Sequence, residues 1–353
     1  MQTPTTLNFD QFTSALIPVL FFAFAGFVVS MLLTPIYTYF AFKYKAWKVA
    51  RTHTVTGEAA PVYQRIHAAK HKRNIPTMAG IVFIVTIALI ITPVRFFIDP
   101  NLFRQQMLLP LFSFVGAGII GLFDDYLNIR GADKKVAGLR APIKFAMTLG
   151  IAIVGALYFY YKLKYNLIHI PKVGDFDIGW LYIPLFVTVI VSTANAVNIT
   201  DGLDGLSGGL TATAFGAFGI IAFFSNLPWL AAFCAAVVGI MLTYTWFNIF
   251  PARFFMGDSG SFALGTTLGV VAMLTNSVFG LPIIGAVFVI EAGSSVIQIF
   301  SKKVFKRKIF LSAPVHHHLE AIGWPETKVT MRLWVIGIVT GALGVIIGLI
   351  ARG

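Results

Sequence analysis

Carboxylate and amide side chains recur every third residue in one glycine-rich stretch of the sequence. Residues 195–209 are NAVNITDGLDGLSGG. A helical turn would place Asn198, Asp201 and Asp204 on one face. The glycines allow a ligand to approach the backbone closely, and a helix N-terminus there would offer N–H groups to a phosphate. A simple interhelical turn would explain the glycines but not two Asp and two Asn, so the pattern favours a phosphate or metal site.

Two further acidic motifs could contribute to the same chemistry. Asp124 and Asp125 are adjacent in GLFDDYLN, and Asp258 stands between Gly and Ser in FFMGDSGS. Adjacent carboxylates in a partly desolvated site repel each other, so one holds its proton more tightly, which suits a general base or a metal ligand. Asp258 beside Phe255 suits a metal-phosphate site with an aromatic platform. The alternatives are a solvated helix end for the pair and a helix N-cap for Asp258.

Three consecutive histidines form another candidate motif, His316, His317 and His318 in PVHHHLE. Consecutive side chains converge poorly on one zinc ion, so we expect them to bind phosphate or to orient a carboxylate. A solvated loop is the alternative. Glu291 lies inside an apolar run, with Gln298 two turns later on the same face. Carboxylates within a membrane span are usually functional or paired.

A basic stretch, KHKRNIPTM at residues 70–78, contains Lys72 and Thr77 and leads into an apolar run. It could approach a phosphate. The alternative is the ordinary positive charge of a cytoplasmic loop.

The elements that carry these motifs are strongly apolar. Of the 353 residues, 57% are hydrophobic and 12% are charged, against about 45–50% and about 25% in soluble globular proteins. This composition excludes a soluble enzyme, a disordered chain and a disulfide-stapled secreted domain. The single cysteine, Cys234, cannot form an intrachain disulfide. The net charge of +13 indicates basic cytoplasmic loops rather than nucleic-acid binding.

A spanning helix needs about 17–25 mostly apolar residues, and ten runs approach that length. We therefore predict an all-α integral membrane protein with ten transmembrane helices in a single polytopic domain, residues 1–353. The predicted spans are 15–37, 78–94, 107–123, 141–161, 179–198, 209–226, 228–250, 260–275, 279–300 and 331–350.

The distribution of charge predicts the orientation of these spans. Of the 27 Lys and Arg residues, 19 fall in the loops 38–77, 124–140, 199–208, 251–259 and 301–330. Cytoplasmic loops carry the excess of Lys and Arg, so these loops are predicted to be cytoplasmic and both termini to lie outside. Most Asp and Glu residues and six of the seven histidines fall on the same side. We therefore expect one polar, cytoplasmic active-site face.

The motifs together suit phosphoryl transfer. Several Asp positions without Cys ligands favour Mg²⁺ or Mn²⁺ over zinc, and basic residues supply positive charge for phosphates. Phosphoryl transfer depends mainly on positioning and charge stabilisation. The membrane setting suggests that one substrate is a lipid phosphate.

The sequence resembles the polyprenyl-phosphate N-acetylhexosamine-1-phosphate transferases over nearly its whole length. The motifs that carry the resemblance are PTM at 76–78, DDY at 124–126, NAVNITDGLDGL at 195–206, WFN at 246–248, FMGDSGS at 255–261 and APVHHHLE at 313–320. The family commonly has TPTMGG where this chain has Ile75 and Ala79, and its outer loop between the sixth and seventh spans is usually longer. Neither departure removes a charged group.

The resemblance implies a multi-pass enzyme of the bacterial cytoplasmic membrane that requires Mg²⁺ and forms a homodimer. Within the family it implies transfer of phospho-N-acetylmuramoyl-pentapeptide from UDP-N-acetylmuramoyl-pentapeptide to undecaprenyl phosphate, giving lipid I and UMP, the first membrane step of peptidoglycan synthesis. The alternative is transfer of N-acetylglucosamine-1-phosphate to the same lipid, although that group tends to interrupt the histidine run. A secondary transporter is a more distant alternative, because it would carry its polar groups near the bilayer midplane.

The resemblance also assigns roles to residues. It implies Asp258 and Asp201 as Mg²⁺ ligands and Asp124, Asp125, Asp201 and His316 as catalytic residues. The substrate-binding residues that it implies are Lys72, Thr77, Asn195, Asn198, Gly202, Leu203, Asp204, Asn248, Phe255, Gln298, His317 and His318. The sequence leaves both a direct attack and a phospho-enzyme route open. We expect the direct route, with Asp124 as the base or orienting group for the lipid phosphate.

Overall fold

The computed structural model describes residues 9–47, 74–130, 139 and 141–350, and this part of the chain is mostly helical. The helices are α1 (Phe9–Lys43), α2 (Gly80–Ile91), α3 (Pro100–Gln106), α4 (Leu108–Arg130), α5 (Ala141–Leu157), α6 (Tyr182–Thr200), α7 (Leu206–Phe224), α8 (Pro228–Asn248), α9 (Gly257–Leu274), α10 (Leu281–Ile284), α11 (Ala286–Val304), α12 (Val315–Ala321) and α13 (Glu326–Ile350). A short antiparallel hairpin joins β1 (Leu167–Ile170) to β2 (Gly174–Asp177).

Seven helical segments of the described chain are long and apolar enough to cross a membrane. They are Phe12–Lys43, Leu108–Arg130, Pro142–Lys162, Gly179–Thr200, Leu206–Phe224, Pro228–Asn248 and Glu326–Ile350. An all-α membrane architecture is therefore confirmed. The number of ten spans and the outside position of both termini stay predictions.

The three other predicted spans are helical but differ in kind. Helix α2 has only 12 residues and continues as a 3₁₀ turn over Thr92–Phe96. Helix α11 follows the four-residue α10 after a break at Gly285 and contains Glu291, Lys302 and Lys303. Helix α9 carries Asp258 in its first turn. One of these helices is short, and the other two carry charged residues, of which Asp258 and Glu291 lie at the polar end described below.

Helix α9 is the centre of the bundle, because every residue from Gly257 to Leu274 is buried. It packs against α2, α4 and α6. Close approach to α6 depends on Gly265, where a Cβ atom would lie 2.7 Å from the Thr193 carbonyl oxygen. A helix enclosed on all sides by protein holds its terminal residues in fixed positions, which is what a site on its first turn requires.

Six helix termini meet at one end of the bundle, which we call the polar end. The ends of α4, α6 and α8 lie there beside the starts of α7, α9 and α13, as shown by side-chain bonds between them. The β1–β2 hairpin lies at the opposite end, where the His169 N–H donates to Asn276 Oδ1, just beyond the end of α9. The predicted gathering of polar groups at one face is thus present in the fold.

Candidate active site

Two carboxylates converge on a single ammonium group at the polar end. Lys144 Nζ lies 2.6 Å from Asp124 Oδ2 and also contacts Asp258 Oδ2. The Asp124 and Asp258 side chains are 2% and 13% exposed, and that of Lys144 is 20% exposed. We call these three residues the carboxylate centre. With both carboxylates ionised, one positive charge between two negative charges leaves a net charge of −1, which favours a further cation.

Asp124 is held by more than Lys144. Its Oδ1 atom accepts a hydrogen bond from the Leu139 N–H at 2.7 Å, and its Oδ2 atom accepts one from Asn128 Nδ2 at 3.2 Å. Asn128 lies one helical turn further along α4 and is itself buried. The carboxylate at the end of α4 is therefore fixed in direction, as an orienting group must be.

Asp125 binds the first turn of α9. Its two carboxylate oxygens accept hydrogen bonds from the N–H groups of Asp258 and Ser259, at 3.1 and 3.0 Å. A helix N-terminus leaves such N–H groups without partners inside the helix and favours a negative charge. The carboxylate that caps α9 therefore comes from Asp125 of α4. The side chain of Asp258 does not cap its own helix. Asp125 thus fixes the position of Asp258.

The glycine before Asp258 is required by this arrangement. Gly257 has φ of +71°, which non-glycine residues rarely adopt. A Cβ atom there would also overlap the Asp125 carboxylate and lie 2.7 Å from Thr77 Oγ1. Thr77, a predicted substrate-binding residue, is therefore buried next to the start of α9.

Asn198 joins the end of α6 to the carboxylate centre. Its Nδ2 atom donates to Ser261 Oγ at 2.8 Å and to Asp258 Oδ1 at 3.3 Å. Asp201 follows one turn later at the end of α6 and is partly exposed. Asn195 lies on the outer side of α6, where its amide donates to the Val191 carbonyl at 2.7 Å. The structure brings Asn198 to the carboxylate centre and does not bring Asn195 there.

Asp204 and Asn248 hold the glycine-rich turn in place. Asp204 Oδ2 accepts a hydrogen bond from the Ala252 N–H at 2.9 Å, and the Asp204 N–H donates to Glu326 Oε1 at 2.7 Å. Asn248 accepts from the Gly205 N–H and donates to the Phe254 carbonyl, both at 2.8 Å. These buried contacts connect α7 to α13 and to the loop before α9. Both residues are thus structural links around the site.

Two other residues of this turn, Leu203 and Gly202, have different surroundings. Leu203 is 2% exposed and belongs to the hydrophobic core. Gly202 packs directly against the His316 ring, so a Cβ atom there would overlap the imidazole. This glycine is needed for a close approach between two predicted site segments.

The three histidines have three different partners. His316 Nδ1 lies 2.9 Å from Glu291 Oε2, inside the protein. His317 Nδ1 lies 2.8 Å from Glu320 Oε2, one turn later in α12. His318 Nδ1 accepts a hydrogen bond from the Leu311 N–H at 3.2 Å. The run therefore spreads its side chains over α11, α12 and the preceding loop.

The remaining predicted site residues frame the polar end. Phe255 is partly exposed, and its backbone pairs with that of Pro76 and Ala79 at 2.8 and 3.1 Å. Gln298 accepts hydrogen bonds from the N–H groups of Ile309 and Phe310 and donates to the Phe310 carbonyl, so it fixes the loop that leads to the histidines. Lys72 lies outside the described residues.

Sequence reasoning missed Lys144 as a site residue. Its signal was present, because it is the single charged residue of an otherwise apolar run, 141–161. A lone cation in such a helix is costly unless it has a partner. The identity of its partners, 20 and 114 residues away in the chain, could not be inferred from spacing.

The donor set suits a hard cation. Among the residues that the structure describes, no group of three or more His, Cys, Asp and Glu side chains could hold a metal ion on its own. Mg²⁺ typically takes one or two carboxylates and completes its shell with water and substrate phosphates. A site that offers one or two carboxylates, Asp258 among them, therefore fits Mg²⁺ and does not fit a closed structural zinc site.

Comparison with known proteins identifies the family of the chain. A family model described as Glycosyl transferase family 4 matches residues 107–276. The phospho-N-acetylmuramoyl-pentapeptide-transferase of Chloroflexus aurantiacus is 40% identical over 316 residues, covering 86% of this chain and 84% of that protein. The enzyme of the same name from Bacillus subtilis is 38% identical over 331 residues, covering 93% and 97%. The chain therefore belongs to the phospho-N-acetylmuramoyl-pentapeptide-transferase family.

Proposed function

We propose that this protein transfers phospho-N-acetylmuramoyl-pentapeptide from UDP-N-acetylmuramoyl-pentapeptide to undecaprenyl phosphate, giving lipid I and UMP. The observation that carries the proposal is the match to enzymes of that name over 84–97% of their length. Seven apolar helices and bacterial relatives make it a multi-pass protein of the bacterial cytoplasmic membrane. Ten spans, a cytoplasmic active site and a homodimer complete the proposal.

In this proposal the carboxylate centre binds the pyrophosphate of the UDP-substrate through a metal ion. Asp258, with Asp201 at the end of α6, would hold Mg²⁺, which when bound neutralises the phosphate charge that develops during transfer. Lys144 contacts both Asp124 and Asp258, so it sets the separation of the two carboxylates and adds a positive charge close to the phosphates. Asp125 keeps Asp258 in position through the first turn of α9.

In this proposal Asp124 acts on the acceptor. A phosphate monoester has a second pKa of about 6, so the lipid phosphate is mostly dianionic at neutral pH and needs orientation more than a strong base. An oxygen of that phosphate attacks the phosphorus that bears the sugar, the bond to the bridging oxygen breaks, and UMP leaves with that oxygen. Asp124 receives the remaining proton when the monoanion is bound.

Other residues of the polar end bind the nucleotide and the sugar in this proposal. The partly exposed Phe255 ring stacks on uracil, and Asn198, Gly202, His317 and His318 surround the donor substrate. Four buried residues act indirectly, by holding the backbone around the site: Leu203, Asp204, Asn248 and Gln298. Lys72 and Thr77 approach from the segment before α2.

A substrate comparison tests the proposal. The purified protein in lipid nanodiscs is supplied with undecaprenyl phosphate and either UDP-N-acetylmuramoyl-pentapeptide or UDP-N-acetylglucosamine. UMP release and the mass of the lipid product are measured. We expect UMP and lipid I from the first donor, with none when the lipid phosphate is omitted. Transfer from UDP-N-acetylglucosamine alone would assign the protein to the sister activity instead.

A further inference from the structure

One histidine–carboxylate pair lies entirely inside the protein, away from the carboxylate centre. His316 and Glu291 side chains are both 0% exposed, and Nδ1 of the ring is 2.9 Å from Glu291 Oε2. The backbone N–H of His316 donates to the same oxygen at 3.3 Å. Because a backbone N–H can only donate, Oε2 is an acceptor here. An ionised carboxylate can only accept, so with Glu291 ionised the ring nitrogen that shares this oxygen carries the proton.

The other ring nitrogen is available for a ligand. His316 Nε2 is buried and has no hydrogen-bond partner among the described residues. The ring packs against Gly202, in the turn that follows Asp201. A buried nitrogen without a partner is costly unless something else satisfies it. Gly202 is itself partly exposed, so a molecule bound at the surface of this turn would lie next to Nε2.

We propose that Glu291 is a positioning residue that keeps the proton of His316 on Nδ1 and presents Nε2 to the donor substrate at the Asp201–Gly202 turn. This inference rests on the proposed function, because it names an atom of that same site. At this turn the imidazole nitrogen would contact a sugar or phosphate group of the nucleotide-sugar. Glu291 acts through His316 and touches no substrate.

A purely structural role for the pair is the competing explanation, since Glu291 also ties α12 to α11. Ser294 offers a matched control for that role. Its Oγ atom accepts a hydrogen bond from the Val315 N–H at 3.1 Å, so it holds the same short helix without touching the imidazole. Ser294→Ala loosens the attachment of α12 and leaves the histidine pair in place.

Two variants separate the roles of the two ring nitrogens. In His316→Asn the amide group can replace Nδ1 as a donor to Glu291, but nothing replaces Nε2. In Glu291→Gln the side chain keeps its size, yet its amide can donate as well as accept, so it no longer fixes the proton on Nδ1. Both are assayed as full-length protein in nanodiscs, with thermal unfolding measured on the same samples.

We expect His316→Asn to lower kcat by at least about 10²-fold, within the usual range for a group that exchanges or shares a proton with substrate. We expect Glu291→Gln to lower kcat by about 10- to 100-fold, the usual worth of partners that orient histidines at metal sites. The kcat loss should exceed any change in KM for the UDP-substrate. Ser294→Ala should lower the unfolding midpoint and change kcat less than threefold, within about 0.6 kcal/mol.

Nitrogen-15 spectra of histidine-labelled protein give a readout that a structural role would not move. The His316 signal, assigned by its loss in His316→Asn, should show a proton on Nδ1 in the native protein and a mixture of tautomers in Glu291→Gln. Native-like kcat in folded His316→Asn would overturn the proposal. So would Glu291→Gln with unchanged tautomers and a kcat equal to that of Ser294→Ala. Absence of transfer by the native protein would refute the proposed function instead.

Discussion

The two ends of the bundle each hold a histidine–carboxylate pair, and the pairs differ in burial rather than in distance. In the hairpin, His169 Nδ1 is 2.7 Å from Asp175 Oδ1, with side chains 18% and 58% exposed. At the polar end, His316 and Glu291 are 2.9 Å apart and fully buried. A hydrogen bond between exposed side chains adds little to stability, whereas leaving a buried polar group without its partner costs about 1–3 kcal/mol. Burial therefore marks which pair the fold depends on.

The same contrast extends to the backbone. At the hairpin end, strands β1 and β2 pair through their own backbone in the register Leu167 with Asp177. At the polar end, the carboxylates of Asp125, Asp204 and Glu326 accept hydrogen bonds from backbone N–H groups of other segments. Charged side chains thus hold the backbone together at the polar end. Replacing one of them is expected to shift neighbouring site residues as well as to remove a charge.

The largest effect is expected from Asp258→Ala. The carboxylate centre loses the residue proposed to hold Mg²⁺, and Lys144 and Asn198 lose a shared partner. We expect turnover to fall to background, measured as UMP release over a range of Mg²⁺ concentrations. Near-native, Mg²⁺-dependent activity in a folded variant would refute the role of Asp258. It would also mean that the polar end is no more important for catalysis than the hairpin end.

Asp124→Asn should have the next largest effect. We expect kcat to fall by about 10²–10⁴-fold, the usual worth of general-base catalysis, with binding of the UDP-substrate nearly unchanged. Asp99→Asn is the control at the opposite end, where Asp99 caps α3 in an exposed position. Asn caps helices about as well as Asp, so this control should leave kcat unchanged. Equal kcat in the two variants would contradict the account.

Phe255→Ala should weaken binding of the UDP-substrate by about 5- to 150-fold. Stacking of an aromatic ring on a base is worth about 1–3 kcal/mol in nucleic-acid systems. The affinity for undecaprenyl phosphate should change much less. Phe250→Ala, in the same loop and 45% exposed, is the control. An unchanged KM for the UDP-substrate in Phe255→Ala would show that the ring does not contact uracil.

The smallest effect is expected at the hairpin. Asp175→Asn removes the charge next to His169, where Asp175 is mostly exposed. We expect the free energy of unfolding to change by less than about 1 kcal/mol and kcat to stay within twofold. A loss of activity comparable to that of Asp124→Asn would show that the hairpin end contributes to catalysis.

The sequence predicted the class of fold and the gathering of polar groups at one end because hydropathy and charge are local properties of segments. It could not show how helices pair. Asp125 and Asp258 are distant in the chain, and the capping of α9 by Asp125 exists only once α4 and α9 are packed. For the same reason Lys144 was overlooked, since only packing shows its two carboxylate partners.

The motif and its spacing also grouped residues that the structure separates. Asn195 and Asn198 share a motif, yet Asn195 faces outward and Asn198 contacts Ser261 and Asp258. Three residues correspond to less than one turn of an α-helix, and burial of one side chain does not imply burial of the next in the series. Asp204 follows the same spacing but lies beyond the end of α6, where the turn directs it toward Ala252.

A single-turnover measurement tests the central claim, direct transfer at the carboxylate centre, most directly. Enzyme in excess over UDP-N-acetylmuramoyl-pentapeptide is mixed rapidly with or without undecaprenyl phosphate, and UMP is followed in the native protein and in Asp124→Asn. We predict rapid UMP release only with the lipid phosphate, slowed in the variant by the factor seen in kcat. A burst of UMP without lipid phosphate at a kinetically competent rate, with the phospho-sugar retained on an aspartate, would contradict direct transfer.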